Sequence, residues 1–255
     1  MLYFAPKNTT SLTYSQSTDV GNKKATLSLT GNRFYGPSGS GQVPDIGYHT
    51  AIGLPVKVSS KGLYTCSKDE VSEFLSATAA GQKPKKQCNK AVVGTGQATA
   101  YAVSCGSHPT TSTPGVQQVT LAITLYADRN GLAGYLQATS PPSLTSIKGV
   151  FEIGITNTTN GAIFSYALPQ SLLEAVPGLC APITTFTLSI NKSPARTKKR
   201  GKKPVFLKTG PCKSSPQTAT FHEDDTDGSL RPDGTLTDTT IDTADSTSPV
   251  TCKRR

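Results

Sequence analysis

An all-β fold, an antiparallel two-sheet sandwich with one short α-helix near residues 68–80, is predicted by three features of the sequence. Apolar residues alternate with small polar ones over many short segments, which puts every second residue on one face of a strand. Clusters of Asn, Asp, Gly and Pro separate those segments and favour tight antiparallel connections. The composition agrees: 35% of the 255 residues are hydrophobic and only 16% charged, with no Trp and one Met. That is enough apolar material for a modest core. The length suits one domain over residues 21–255, preceded by a polar tail or loose edge over 1–20. A barrel would use the same alternation.

Taken in order, the first alternating face holds Leu27 and Leu29, and the next Leu54, Val56 and Val58. A helix then follows in "CSKDEVSEFLSATAAG". Ser67 and Glu70 have the spacing of a capping box, acidic residues occupy the first turn, Val71, Phe74 and Leu75 share a face, and Gly81 is a stop signal. Gly94 and Gly96 in "VVGTGQATA" lack the third glycine and following helix of a phosphate loop, so they mark a bulge or a close sheet crossing.

"VTLAITLY" is the clearest strand, with Val119, Leu121, Ile123 and Leu125 on one face and Thr120, Ala122 and Thr124 on the other. Further faces are Phe151, Ile153 and Ile155; Phe164, Tyr166 and Leu168; Phe186, Leu188 and Ile190; Val205 and Leu207. "DRNG" at 128–131 and "TTNG" at 158–161 predict hairpin turns in which Asn-Gly supplies positive φ. A weaker helical turn is expected after Pro169 in "PQSLLEAVPG". The acidic, Thr-rich segment 222–246 reads as a long hairpin or a partly disordered excursion.

Charge is local. Of the formal net charge of +10, six cations fall between 196 and 203: Arg196, Lys198, Lys199, Arg200, Lys202 and Lys203. They lie between a strand ending near Ile190 and one beginning near Val205, so residues 192–204 read as a basic hairpin loop. One reading is a solvated tip. The functional reading is a clamp for an anionic polymer, whether nucleic acid, phosphate-rich wall polymer or acidic lipid surface. The loop could also dock on the acidic segment. Nucleic-acid faces interleave aromatics with spread cations, and that pattern is missing.

The six cysteines, Cys66, Cys88, Cys105, Cys180, Cys212 and Cys252, contain no CxxC pair and have no His at ligand spacing. Zinc is not expected. An even count in a Thr/Gly-rich β chain favours three disulfides and an oxidising compartment, although six cysteines allow many pairings. Buried reduced thiols in a cytosolic protein are the alternative. "MLYFAPKNTT" has no basic region and its apolar run stops at Pro6, too short for a signal segment, so either the displayed start lies downstream of the real one, the leader has been removed, or the protein is not exported; the cysteines favour the first two. No stretch approaches the length of a membrane-spanning helix.

Enzymatic chemistry finds little support. The histidines are His49, His108 and His222, and no Gly-x-Ser-x-Gly elbow is present. A hydrolase would need one of them to meet a nucleophile and an acid in one cleft. Asp225-Thr226-Asp227-Gly228 has the wrong spacing for an EF-hand, which leaves a solvated acidic turn or a weak calcium site. No catalytic residue, metal ligand or cofactor is assigned.

Several segments together resemble a group of exported, uncharacterised, disulfide-containing β-sandwich proteins of high-GC soil bacteria. They are Lys61-Gly62, Thr65-Cys66-Ser67, "CNKAVVGTGQATA" over Cys88 to Ala100, Pro169 to Leu172, "TGPC" ending at Cys212 and "STSPVTC" ending at Cys252. The resemblance covers about residues 50–255 and departs at Asn89, where the pattern has Pro, and Ala91, where it has Ser. It implies Cys66–Cys88 and Cys212–Cys252 disulfides, leaving Cys105 and Cys180 to each other, and it implies no activity. The resulting expectation is a non-catalytic extracellular or cell-surface interaction or structural module. Its ligand and oligomeric state are unknown, and an anionic surface polymer is its candidate partner.

Overall fold

The structure is a computed structural model that describes residues 13–21, 24–32, 45–104, 117–159, 161–168, 174–176, 179–180, 183–197, 204–209, 218–230 and 236–252. Its strands are β1 (Thr13–Gly21), β2 (Lys24–Asn32), β3 (Asp45–Leu54), β4 (Val56–Val58), β5 (Val92–Ser104), β6 (Gln117–Ala127), β7 (Gly131–Ser140) and β8 (Lys148–Asn157). They continue with β9 (Ala162–Leu168), β10 (Glu174–Val176), β11 (Leu179–Cys180), β12 (Ile183–Ile190), β13 (Leu207–Thr209), β14 (Thr218–Leu230) and β15 (Leu236–Cys252). The helix is α1 (Lys68–Ala79). The chain is thus mainly β with one helix.

The strands do not divide into two sheets packed face to face. Nine strands, in the order β12-β5-β6-β7-β8-β9-β3-β14-β15, form an antiparallel sheet that curls into a half-barrel. The physical reason is unbroken pairing: β5 bonds to β12 on one edge and β6 on the other, and β14 lies between β3 and β15. Bulges at Val92/Gly94, Thr120/Leu121 and Asp225/Thr226 add the local bend that curling needs. β2 pairs with β12, and β1 pairs with β2 and, in parallel, with β15, so the ladder returns to its start. A ring with an odd number of strands cannot alternate direction throughout, and the parallel β1–β15 pair is the exception that geometry demands. A second sheet contains only β4 and β13.

The core lies on the concave face. Val119, Leu121, Ile123 and Leu125 of β6 are buried, as their alternation predicts, and they pack with Leu132, Leu136, Phe151, Ile153 and Phe164. β7 departs from simple alternation: residues 131–134 are buried on both faces. α1 causes this by covering the convex face, where Val71, Phe74 and Leu75 join Tyr126, Ala133 and Tyr135 in a second cluster. The capping box is formed: Ser67 N donates to Glu70 Oε2 at 2.9 Å, and Glu70 N donates to Ser67 Oγ at 3.3 Å. Cys66 and Cys88 are joined by a disulfide and are fully buried beneath the helix.

Local readings need three corrections. The turns at 128–131 and 158–161 form, but neither Gly131 nor Gly161 has positive φ. Glycine is required there because a Cβ would overlap the carbonyl oxygen of Ile153 or Leu54, respectively. Within the helical turn expected after Pro169, Glu174–Val176 is strand paired with β11, and residues 169–173 lie outside the described set. The basic connection is not a hairpin: β12 pairs with β2 and β5, whereas β13 pairs with β4 in the other sheet. By contrast, Gly94 sits at a bulge, and Gly94 and Gly96 both let β12 approach, since a Cβ on either would meet the β12 backbone.

Candidate anion-binding face

The small sheet is made where β4 leaves the main sheet at Pro55, a residue that cannot donate to a ladder. Its register sets Lys57 directly opposite Lys208, and both are exposed. Like charges directly opposite on one face repel, at a cost of roughly 0.2–1 kcal/mol relative to a neutral pair. No carboxylate lies within ion-pair distance of either among the described residues; the described ion pair is Lys86–Glu70, at the helix.

The chain then turns at Lys61-Gly62, where Gly62 takes φ +76, a backbone conformation that disfavours a side chain. The departing end of the basic stretch is tied to this turn. Leu63 bridges to Arg196, Thr197 N donates to Gly62 O at 3.2 Å, and Tyr64 N donates to Ala195 O at 2.7 Å. Upstream, Lys192 N donates to Val93 O at 2.8 Å and Ala195 N to Lys90 O at 2.8 Å. The returning end is tied beside it: Ser59 N donates to Phe206 O at 2.9 Å, and the Phe206 ring is buried in the main core.

Between these ties lies an open cleft of about 380 Å³, lined by Ser60, Lys61, Asp128, Arg129, Asn157 and Phe206 among others. Asn157 staples one wall, accepting from Val58 N at 2.9 Å and donating to Val58 O at 3.0 Å. Ser60 Oγ donates to Arg129 O at 2.9 Å, and Asp128 Oδ1 accepts from the Arg129 backbone N. The walls are therefore set by backbone-directed bonds, and Lys61 and Arg129 remain exposed at the rim.

This cleft differs from the space inside the curled sheet. There a cavity of about 40 Å³ is lined only by apolar side chains, including Ile52, Leu125 and Phe164. Organic ligand sites usually occupy about 300–1,000 Å³. That cavity therefore has no room for such a ligand, whereas the outer cleft does.

Of the six cations singled out in the sequence, Arg196 is placed, exposed, beside the Lys61-Gly62 turn. Lys198, Lys199, Arg200, Lys202 and Lys203 lie outside the described residues, but both flanks of their segment are held at the cleft. Sequence reading missed Lys57, Lys61, Arg129 and Lys208 as binding residues. The only signal for Lys57 and Lys208 was solvent-facing alternation in two short strands distant in the chain, and Lys61 and Arg129 sit in turns that carry no such signal. His49 and His222 lie in β3 and β14, away from this face, and His108 lies outside the described residues. Cys105 and Cys212 are also outside, and with them the two further proposed disulfides. No helix among the described residues is long and apolar enough to cross a membrane. No family model, curated protein or solved structure matches the chain.

Proposed function

We propose that the protein is a non-catalytic binding module for an anionic polymer, working outside the cell, and that the cations of 196–203 add to those of Lys61 and Arg129 at the cleft rim in holding the ligand. The observation that carries this reading is the Lys57–Lys208 pair, which has no carboxylate within ion-pair distance among the described residues, in the small sheet that the chain enters just after the basic segment. A site that accepts repulsion in the free protein gains when an anion neutralises it. The Cys66–Cys88 disulfide favours an oxidising compartment, and the resemblance to exported proteins points the same way. A phosphate-rich wall polymer is accordingly the preferred ligand, ahead of nucleic acid.

The test is titration of a polyphosphate chain into the protein at increasing salt. Binding through several cations weakens linearly in log salt. Replacing Lys57 and Lys208 together with Gln should flatten that slope and weaken binding while leaving the fold as stable or slightly more so, since a repulsive pair is removed. Replacing the six cations at 196–203 with Gln should cost more affinity still. Affinity indifferent to salt and to both sets of changes would remove the proposal.

A further inference from the structure

The cleft between the Lys61-Gly62 turn and the turn at 128–131 holds a carboxylate as well as cations. Asp128 lines it together with Lys61 and Arg129, and is half-buried where those two are exposed. Its turn is fixed by backbone bonds: Asp128 N donates to Gly131 O at 3.0 Å, and Ile155 N donates to Asn130 O at 3.3 Å. The side chain is fixed as well, because its Oδ1 accepts from Arg129 N at 2.7 Å. One such bond leaves most of the acceptor capacity of a carboxylate unused.

The charges of the cleft do not cancel one another. Among the described residues no ion pair joins Asp128 to Lys61, to Arg129 or to any other cation; the described ion pair is Lys86–Glu70. A plain polyanion is attracted by Lys61 and Arg129 but repelled by Asp128, and partial burial weakens the screening of that repulsion. A ligand that carries an ammonium group beside its phosphate satisfies both signs. Ser60 and Asn157 already direct hydrogen bonds to the backbone of Arg129 and Val58, so charge is the main discriminator between ligands.

We propose that the cleft recognises a zwitterionic phosphodiester repeat, with the phosphate held by Lys61 and Arg129 and an ammonium group by Asp128. This rests on the anionic-polymer reading of the cleft and narrows it to polymers that carry amines along a phosphate backbone. The volume of about 380 Å³ lies in the range of sites for small organic groups, so a single repeat is seated while the rest of the polymer meets the cations outside. Asp128 then works as a specificity residue: it selects against phosphate chains that lack the amine.

The test compares two probes on the whole chain: a poly(glycerol phosphate) oligomer with aminoacyl esters on its glycerol hydroxyls, and the same oligomer after the esters have been hydrolysed. The unaltered protein should bind the amine-bearing probe roughly two- to five-fold more tightly, the scale of one partly exposed charge pair. That order is opposite to the one set by net charge alone, since the amines make the probe less negative. Asp128→Asn keeps an oxygen that can accept from Arg129 N, so the turn is retained. It should strengthen binding of the hydrolysed probe by up to a few-fold and abolish the preference for the amine. A role for Asp128 confined to holding the turn would instead weaken both probes together, and that result would overturn the inference. So would an unaltered protein that binds the hydrolysed probe as tightly as the amine-bearing one, a comparison that stands even if the variant fails to fold. In that case binding of both probes leaves the anionic-polymer reading in place, whereas binding of neither removes both proposals.

Discussion

Two excursions leave the curled sheet, and they are built on opposite principles. Residues 66–88 form a capped helix with its own buried cluster, closed by a disulfide and a Lys86–Glu70 ion pair of 2.6 Å. Residues 191–206 cross from β12 to the small sheet, held by backbone hydrogen bonds and by one deeply buried ring, Phe206. The first pairs a cation of its own, Lys86, with a carboxylate of its own, Glu70. The second carries Lys192 and Arg196 exposed and delivers Lys208 opposite Lys57. Covalent closure and internal pairing suit a structural element, whereas a tethered segment with unneutralised charge suits contact with a ligand.

The sharpest way to break the contrast is at Phe206, the deeply buried aromatic anchor of the second excursion. Phe206→Ala should cost about 3–5 kcal/mol, the usual loss for a large aromatic in a core. It should also free β13 and the basic segment together. Denaturant unfolding measures the first effect, and weaker, less salt-dependent polyphosphate binding reports the second. If the stability loss appears with no change in binding, the crossover does not organise the ligand face.

The corresponding change in the first excursion is replacement of both Cys66 and Cys88 by Ala. Opening the 22-residue separation should cost about 3 kcal/mol in the chain-entropy model. The loss should stay local to α1, leaving polyanion binding intact, because none of the cleft's tethers passes through the disulfide. Hydrogen exchange across α1, set against the binding curve, separates the two excursions. A parallel loss of binding would mean that they are one unit.

How much of this was legible in advance depended on the distance over which each feature is encoded. The β6 face and the Ser67–Glu70 box involve residues a few positions apart, so period and spacing were enough. The closure of the sheet was not legible, because β5 meets both β6 and β12, and β1 meets β15, through pairings that leave no local trace. Segment 222–246 was legible in part. It reads as a long hairpin or a partly disordered excursion, and β14 and β15 pair antiparallel as the hairpin reading has it, but Glu223 and Asp225 alternate with His222 and Asp224, so both faces read as polar and the core side was hidden. The Lys57–Lys208 pair failed on both counts, since both are ordinary solvent-facing strand residues until β4 and β13 pair. Asn-Gly was read for its freedom in φ, yet at Gly131 the decisive constraint is a neighbouring carbonyl supplied by a different strand.

The smallest expected effect lies at the helix cap. Partial burial pushes the Glu70 carboxyl upward, but the Lys86 hydrogen bond, the Ser67 N–H and the charges of Lys86 and Arg129 outweigh it, so its pKa is lowered overall. A carboxylate whose folded pKa is depressed contributes stability that is fully present above its unfolded value and is lost as pH falls through the folded one. Glu70 is about two-fifths exposed, which keeps the contribution small through solvent screening. The Ser67 amide should therefore stay protected at neutral pH and lose protection only below the ordinary carboxylate range. Glu70→Gln retains an oxygen that can accept from Ser67 N while removing the titrating charge, so it should flatten that pH dependence without melting α1. An amide-resolved exchange series on both proteins reads this directly. If acid opens the helix equally in the Gln variant, the cap does not depend on the Glu70 charge, and the disulfide with its buried cluster is what holds the excursion closed.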